Sequence, residues 1–200
     1  MKRRAAVAML PGFADPVLDA QRVFRGLLEA TSYPGRIVDV GGGTAAPAPL
    51  GPAAAAVCLA LADYETPVWP DAAAGTEAVR DWLRFHCGCP LAPAPGTARF
   101  ALLTEPTAMP ALSAFDDGSD EYPDRSATLI LQVTGLAAGG ALRLAGPGIR
   151  TQSRLAVDGV PPRLWDEWRQ NRVLFPRGVD LILACGDRLA ALPRTVTVEI

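Results

Sequence analysis

The sequence predicts an α/β fold, a mixed central sheet flanked by helices. Three observations carry that prediction. Helix and strand signals alternate through the first half of the chain. The run TLILQV at 128–133 is apolar enough to be covered on both faces, as a central strand of a partly parallel sheet must be. Residues 179–200, VDLILACGDRLAALPRTVTVEI, read as two strands about a Gly186-Asp187 turn and then a third, which favours sequential antiparallel pairing.

The elements follow in order. Asp15 and Pro16 suit a helix start, because a carboxylate accepts from unpaired amides and proline has no amide to leave unpaired. Val17, Ala20, Phe24, Leu27 and Leu28 then recur at helical spacing and define the stripe expected to be buried. Tyr33-Pro34-Gly35 ends the helix, and Arg36 to Val40 reads as a short strand. GGGTAAPAPLGP is a loop whose Pro52 starts an alanine-rich helix running to about Asp63, and Thr66 to Trp69 reads as a strand. Thr76 caps a third helix with Val79, Trp82, Leu83 and Phe85 on its apolar side. Arg84 and His86 sit in its last turn, where the helix dipole favours positive charge, and Gly88 and Pro90 stop it. Arg99 to Thr104, Ala127 to Thr134 and Ala141 to Ala145 are aliphatic or β-branched runs bounded by glycine or proline, hence strands. Leu164, Trp165 and Trp168 form the apolar side of a helix after Pro161-Pro162. No internal repeat or long linker divides the chain, so residues 1–200 are expected to form one domain, with the acidic stretch at 114–125 its weakest point.

Composition excludes several function classes. A chain of 200 residues buries about 70% of its unfolded surface, enough for a core without staples. Cysteines at 58, 87, 89 and 185 are too few for a disulfide framework, and Pro11 breaks the apolar stretch of the N-terminal MKRRAAVAMLPGF, so a cytoplasmic, reduced protein is expected. The most apolar windows, such as AAAAVCLALA at 53–62, fall short of the ~20 residues that cross a membrane. A net charge of -2 gives no electrostatic footprint for nucleic acid. Of the 19 basic residues only Lys2 is a lysine, and a Walker motif is therefore absent.

The stretch LRFHCGCPL at 83–91 holds the one histidine, His86, beside Cys87 and Cys89. Zinc needs four ligands, and Cys58 or Cys185 would have to arrive from elsewhere. Adjacent residues at a helix end point about 100° apart, which opposes both shared ligation and a Cys–His catalytic pair. The leading reading is a helix terminus with buried thiols acting as small hydrophobes. DVGGGT lacks G-x-G-x-x-G spacing and an immediate helix, so it reads as a flexible turn. Asp116, Asp117, Asp120, Glu121 and Asp124 lack the distal glutamate of a calcium loop and read as solvated. Arg22, Arg25 and Glu29 share a helix face, which reads either as a contact for an anionic ligand or a partner or as an exposed face with an Arg25 to Glu29 pair.

Six segments, DAQRVFRGLLEATSYPGRIV (19–38), LADYETPVW (61–69), LRFHCGCPL (83–91), ATLILQV (127–133), LRLAGPGI (142–149) and FPRGVDLILACGDRLAALPRT (175–195), together resemble the PhnH subunit family of phosphonate carbon-phosphorus lyase. The resemblance implies membership of a core complex in organic phosphonate catabolism that makes ribose 1-phosphonate 5-triphosphate from MgATP and a phosphonate. MgATP is then a substrate of the whole complex. It also implies a fold similar to the large domain of pyridoxal-phosphate-dependent transferases, sister core subunits as partners, and a homodimer when isolated. No pyridoxal phosphate is expected, because such an enzyme needs a buried lysine and Lys2 lies in a terminus expected to fray. The family pattern resembles L-x-F-H-T-x-A-P here, so Phe85, His86 and Pro90 match while Cys87 and Cys89 depart. Arg22, Arg25, Arg84, His86 and Arg194 fall in matching segments and are the candidate contacts to a partner carboxylate or a phosphate, to which a guanidinium fork is suited. Neither a catalytic residue, a cofactor nor a metal is assigned. The alternative is a stand-alone metal- or thiol-dependent enzyme centred on His86 and Cys87.

Overall fold

The chain is described over residues 9–200 by a computed structural model. Helix α1 (Pro16–Ser32) starts as its sequence dictates, with Asp15 Oδ1 accepting from the amides of Val17 and Leu18, each at 3.0 Å. Its buried stripe differs from the expected one. Val23, Leu27 and Ala30 face the core, whereas Val17, Phe24 and Leu28 are 75, 46 and 51% exposed. The cause is the close seat of the helix on strand β1 (Val38–Asp39) through Gly26, where an added Cβ would lie 2.7 Å from Val40 Cγ1. That approach turns positions 23, 27 and 30 inward and rolls the neighbouring apolar stripe out to solvent.

Helix α2 (Pro52–Leu61), strand β2 (Val68–Pro70) and helix α3 (Glu77–His86) follow. Thr76 caps α3 through the Val79 amide at 3.2 Å, as expected. Phe85 is a second correction: Val79, Trp82 and Leu83 are buried, but Phe85 is 70% exposed. At 100° per residue it falls roughly 110° from the middle of the arc those three define.

Strands β3 (Phe100–Leu103) and β4 (Thr128–Gln132) come next, then β5 (Gly135–Ala145), β6 (Ser153–Asp158), helix α4 (Arg163–Val173), β7 (Asp180–Cys185), β8 (Arg188–Leu192) and β9 (Thr197–Glu199). The main sheet has six strands in the order β1-β8-β7-β4-β3-β2. Only β8 runs against its neighbours, so the sheet is mixed, and β4 is central as TLILQV requires. Its two faces follow the period of two: Leu102, Ile130, Ile182 and Ala191 point toward α1, α2 and α3, while Ala101, Leu129, Leu181 and Leu192 point the other way.

That second face is covered by a small antiparallel sheet, β6-β5-β9, together with α4, so it carries more than the expected helices. The third C-terminal strand does not continue the hairpin beyond β8; β9 crosses to pair with β5, Leu144 opposite Val198. Strand β5 also starts earlier than the sequence suggests. Gly139 and Gly140 look like a break but form an irregularity within the strand, where an added Cβ on Gly140 would lie 2.3 Å from the Ala156 backbone. Strand β6, which that close approach accommodates, was not foreseen. No helix among the described residues is long and apolar enough to cross a membrane.

Candidate functional site

In open α/β sheets ligands bind outside the carboxyl ends of the parallel strands. Here those ends are engaged by the chain itself. Gln132, last residue of β4, accepts the Gly51 amide on Oε1 at 2.7 Å and donates Nε2 to the Pro49 carbonyl at 2.8 Å. The Ala53 amide donates to the Gly186 carbonyl at 2.9 Å, so the start of α2 is seated over β4 and the β7–β8 turn. Next to β2, Asp71 is buried and accepts from the Ala74 amide (2.7 Å), Thr104 Oγ1 (3.1 Å) and the Glu105 amide (2.9 Å). These polar groups hold loops in place and are satisfied in doing so.

The five candidate residues lie in three separate places. Arg22 pairs with Asp19 at 3.0 Å and lies beside the Gly42 turn, where an added Cβ would be 3.1 Å from its guanidinium. Arg25 does not pair with Glu29, because Glu29 is taken by Arg36 at 2.8 Å, whose guanidinium also lies over the Tyr33 ring. Among the described residues Arg25 has no ion-pair partner. Arg84 and Asp81, 3.5 Å apart, are both more than half exposed, a geometry worth well under about 1 kcal/mol. His86 donates from Nε2 to the Leu10 carbonyl at 2.9 Å and packs tilted against Trp82 and edge-on against Phe85, so it ties the segment before α1 to the end of α3.

Arg194 is a structural clamp. Its guanidinium engages both Asp180 carboxylate oxygens, Ser126 Oγ and the carbonyls of Pro123 (2.7 Å) and Pro176 (3.4 Å), with 14% of the side chain exposed. Every arm of the fork is used inside the fold. The signal that would have found this lies in Asp180, an acid at the first position of an otherwise apolar strand.

Cys58 does approach the LRFHCGCPL stretch: Cys87 Sγ donates to its carbonyl at 3.6 Å, and Cys89 Sγ donates to the Leu83 carbonyl at 3.9 Å. Burial pushes the Cys58 thiol up to about 12, helped by the nearby Cys89. Cys87 is pushed up by its hydrogen bond to Cys89 and then by burial, while the same bond holds Cys89 down. Cys89 is only 2% exposed, and His86 is turned to Leu10, so no accessible thiol is paired with the imidazole as base. No group of three His, Cys, Asp or Glu residues able to hold a metal occurs among the described residues.

A groove of about 290 Å³ opens on the opposite edge of the sheet, at the amino ends of β3, β4 and β7. Phe24 and Leu28 of α1, Leu61 at the end of α2, Phe100, Thr128 and Asp180 line it. Its walls are largely apolar and its one carboxylate is held by Arg194, which suits an apolar side chain and opposes a polyphosphate. The sequence carried a sign of this face: apolar residues at 17, 18, 23, 24, 27 and 28 are more than one buried stripe needs.

Comparison with known proteins gives this arrangement a context. The sequence profile of the family described as "Bacterial phosphonate metabolism protein (PhnH)" matches residues 11–199. A Rhizobium meliloti (strain 1021) protein named "Alpha-D-ribose 1-methylphosphonate 5-triphosphate synthase subunit PhnH" is 41% identical over 187 residues, covering 94% of each chain. A candidate C-P lyase subunit protein of Stutzerimonas stutzeri, HtxG, is 41% identical over 83 residues, 42% of this chain and 43% of its own.

Proposed function

The chain belongs to the bacterial phosphonate metabolism family PhnH, and from that premise we propose that it is a carbon-phosphorus lyase core subunit that contributes binding surface and no reacting group of its own. The complex makes ribose 1-phosphonate 5-triphosphate from MgATP and a phosphonate in organic phosphonate catabolism. The observation that carries the reading is the identity to a synthase subunit along 94% of both chains. The local structure supports it. Polar groups at the carboxyl ends of the strands close loops, Arg194 is saturated by protein atoms, and the thiols of Cys58, Cys87 and Cys89 are buried or raised.

The fold is proposed to share the architecture of the large domain of pyridoxal-phosphate-dependent transferases without the cofactor. The residues do not fit that group: a pyridoxal enzyme requires a lysine for its aldimine, residues 9–200 contain none, and Lys2 lies outside the described residues. Homodimerisation of the isolated chain and a cytoplasmic location belong to the same proposal.

Co-expression with the sister core subunits, one of them tagged, tests the reading. This chain is expected to co-purify in fixed stoichiometry; recovery of the sister assembly without it contradicts a subunit role.

A further inference from the structure

We propose that the outward stripe of α1 and the adjoining groove seat an amphipathic, acidic segment of a different polypeptide, with Arg25 taking its carboxylate. The inference rests on the subunit reading and names the face that reading needs. Val17, Phe24 and Leu28 recur at i, i+7 and i+11, which places them on one line along the helix. All three are 46% exposed or more, although α1 has already buried Val23, Leu27 and Ala30 in the core. The helix thus presents two apolar stripes where its own fold uses one. Phe24 and Leu28 also form a wall of the groove, so the stripe runs into a recess of about 290 Å³ able to take a side chain. Phenylalanine and arginine are among the residue types enriched at protein interfaces, and Leu28 extends the apolar contact beside them.

Charge complementarity decides between occupants. Arg25, three residues before Leu28 and therefore beside it on the helix, has no ion-pair partner among the described residues. A second copy docking α1 against α1 offers no free carboxylate to it. Asp15 caps the helix, Asp19 holds Arg22 and the Asp15 amide, and Glu29 holds Arg36. Asp180 in the groove is likewise held by Arg194. A different chain that brings apolar residues at helical spacing and an unpaired Asp or Glu fills the groove, covers the stripe and neutralises Arg25 together.

The test uses the co-expressed core assembly, with binding of each purified variant to the immobilised sister subunits as readout. Phe24→Asp and Leu28→Asp are expected to weaken capture by about 100-fold or more, since each puts a charge into an apolar contact. Arg25→Glu is expected to weaken it by about 10-fold, mostly through a slower on-rate at low salt. Phe85→Asp, on the exposed side of α3, should change capture by less than about 3-fold. Thermal midpoints of all four should stay within a few degrees of that of the unaltered chain, because Phe24, Leu28 and Phe85 are 46, 51 and 70% exposed and Arg25 is at the surface. Capture of all three α1 variants as tightly as the unaltered chain overturns the inference and leaves the subunit reading standing. Failure of the unaltered chain to bind overturns both. Loss of a homodimer by Phe24→Asp with capture intact overturns the assignment to a different chain.

Discussion

Arg194→Ala is expected to lower the unfolding free energy by about 3–5 kcal/mol. The guanidinium and the Asp180 carboxylate are 14 and 29% exposed, so the pair sits mostly out of water. Removing the cation takes away the counter-charge of Asp180, which keeps only the residue-194 amide at 2.7 Å, deprives Ser126 Oγ of its donor and leaves the Pro123 carbonyl only the long bond from the Ser126 amide at 3.4 Å. Unsatisfied buried groups of this sort cost more than the intact bonds contribute. Arg194→Lys should recover only part of the loss, because a point charge cannot reach both carboxylate oxygens and two carbonyls at once. Urea unfolding checks this through the midpoint at unchanged slope; a fall of less than about 1 kcal/mol would mean that the clamp is ornamental. Because Asp180 also lines the groove beside α1, the same variant is expected to soften the docking face.

Trp168→Ala is the second large effect, a loss of about 3–5 kcal/mol. Trp168 is fully buried, and its Nε1 donates to the Val196 carbonyl at 3.0 Å, so it joins α4 to the connection that carries β9 away from the main sheet. Alanine removes that hydrogen bond and opens a void between the small sheet and α4. Trp168→Phe keeps most of the volume and leaves the Val196 carbonyl unpaired, for which about 1–3 kcal/mol is expected. Near-equal losses for the two variants would contradict the division between packing and hydrogen bonding.

Where a residue's behaviour is local, it was legible in the sequence. Asp15 with Pro16, and Thr76, mark helix starts because caps act on amides two or three residues away. Gly186 sits at the first position of a two-residue turn with φ of +58°, which is why glycine there signals a hairpin. TLILQV lies at the centre of the sheet because it is apolar on both faces. The failures share a non-local cause. Which stripe of α1 is buried depends on Gly26 meeting Val40, and the partner of β9 is β5, some 50 residues earlier. Arg194 reads as an anion contact only until Asp180 and Ser126 arrive from other strands and loops. Arg25 and Glu29 have the spacing of a pair, yet Arg36, brought back after the turn at Gly35, takes the carboxylate.

The sharpest measurement is synthase activity with this chain omitted, added back, and alone. The readout is ³¹P NMR detection of ribose 1-methylphosphonate 5-triphosphate from MgATP and methylphosphonate. The chain by itself should form none, the sister subunits without it should lose product, and adding it should restore formation. Product made by the isolated chain, or full activity of the sister subunits without it, would contradict the account.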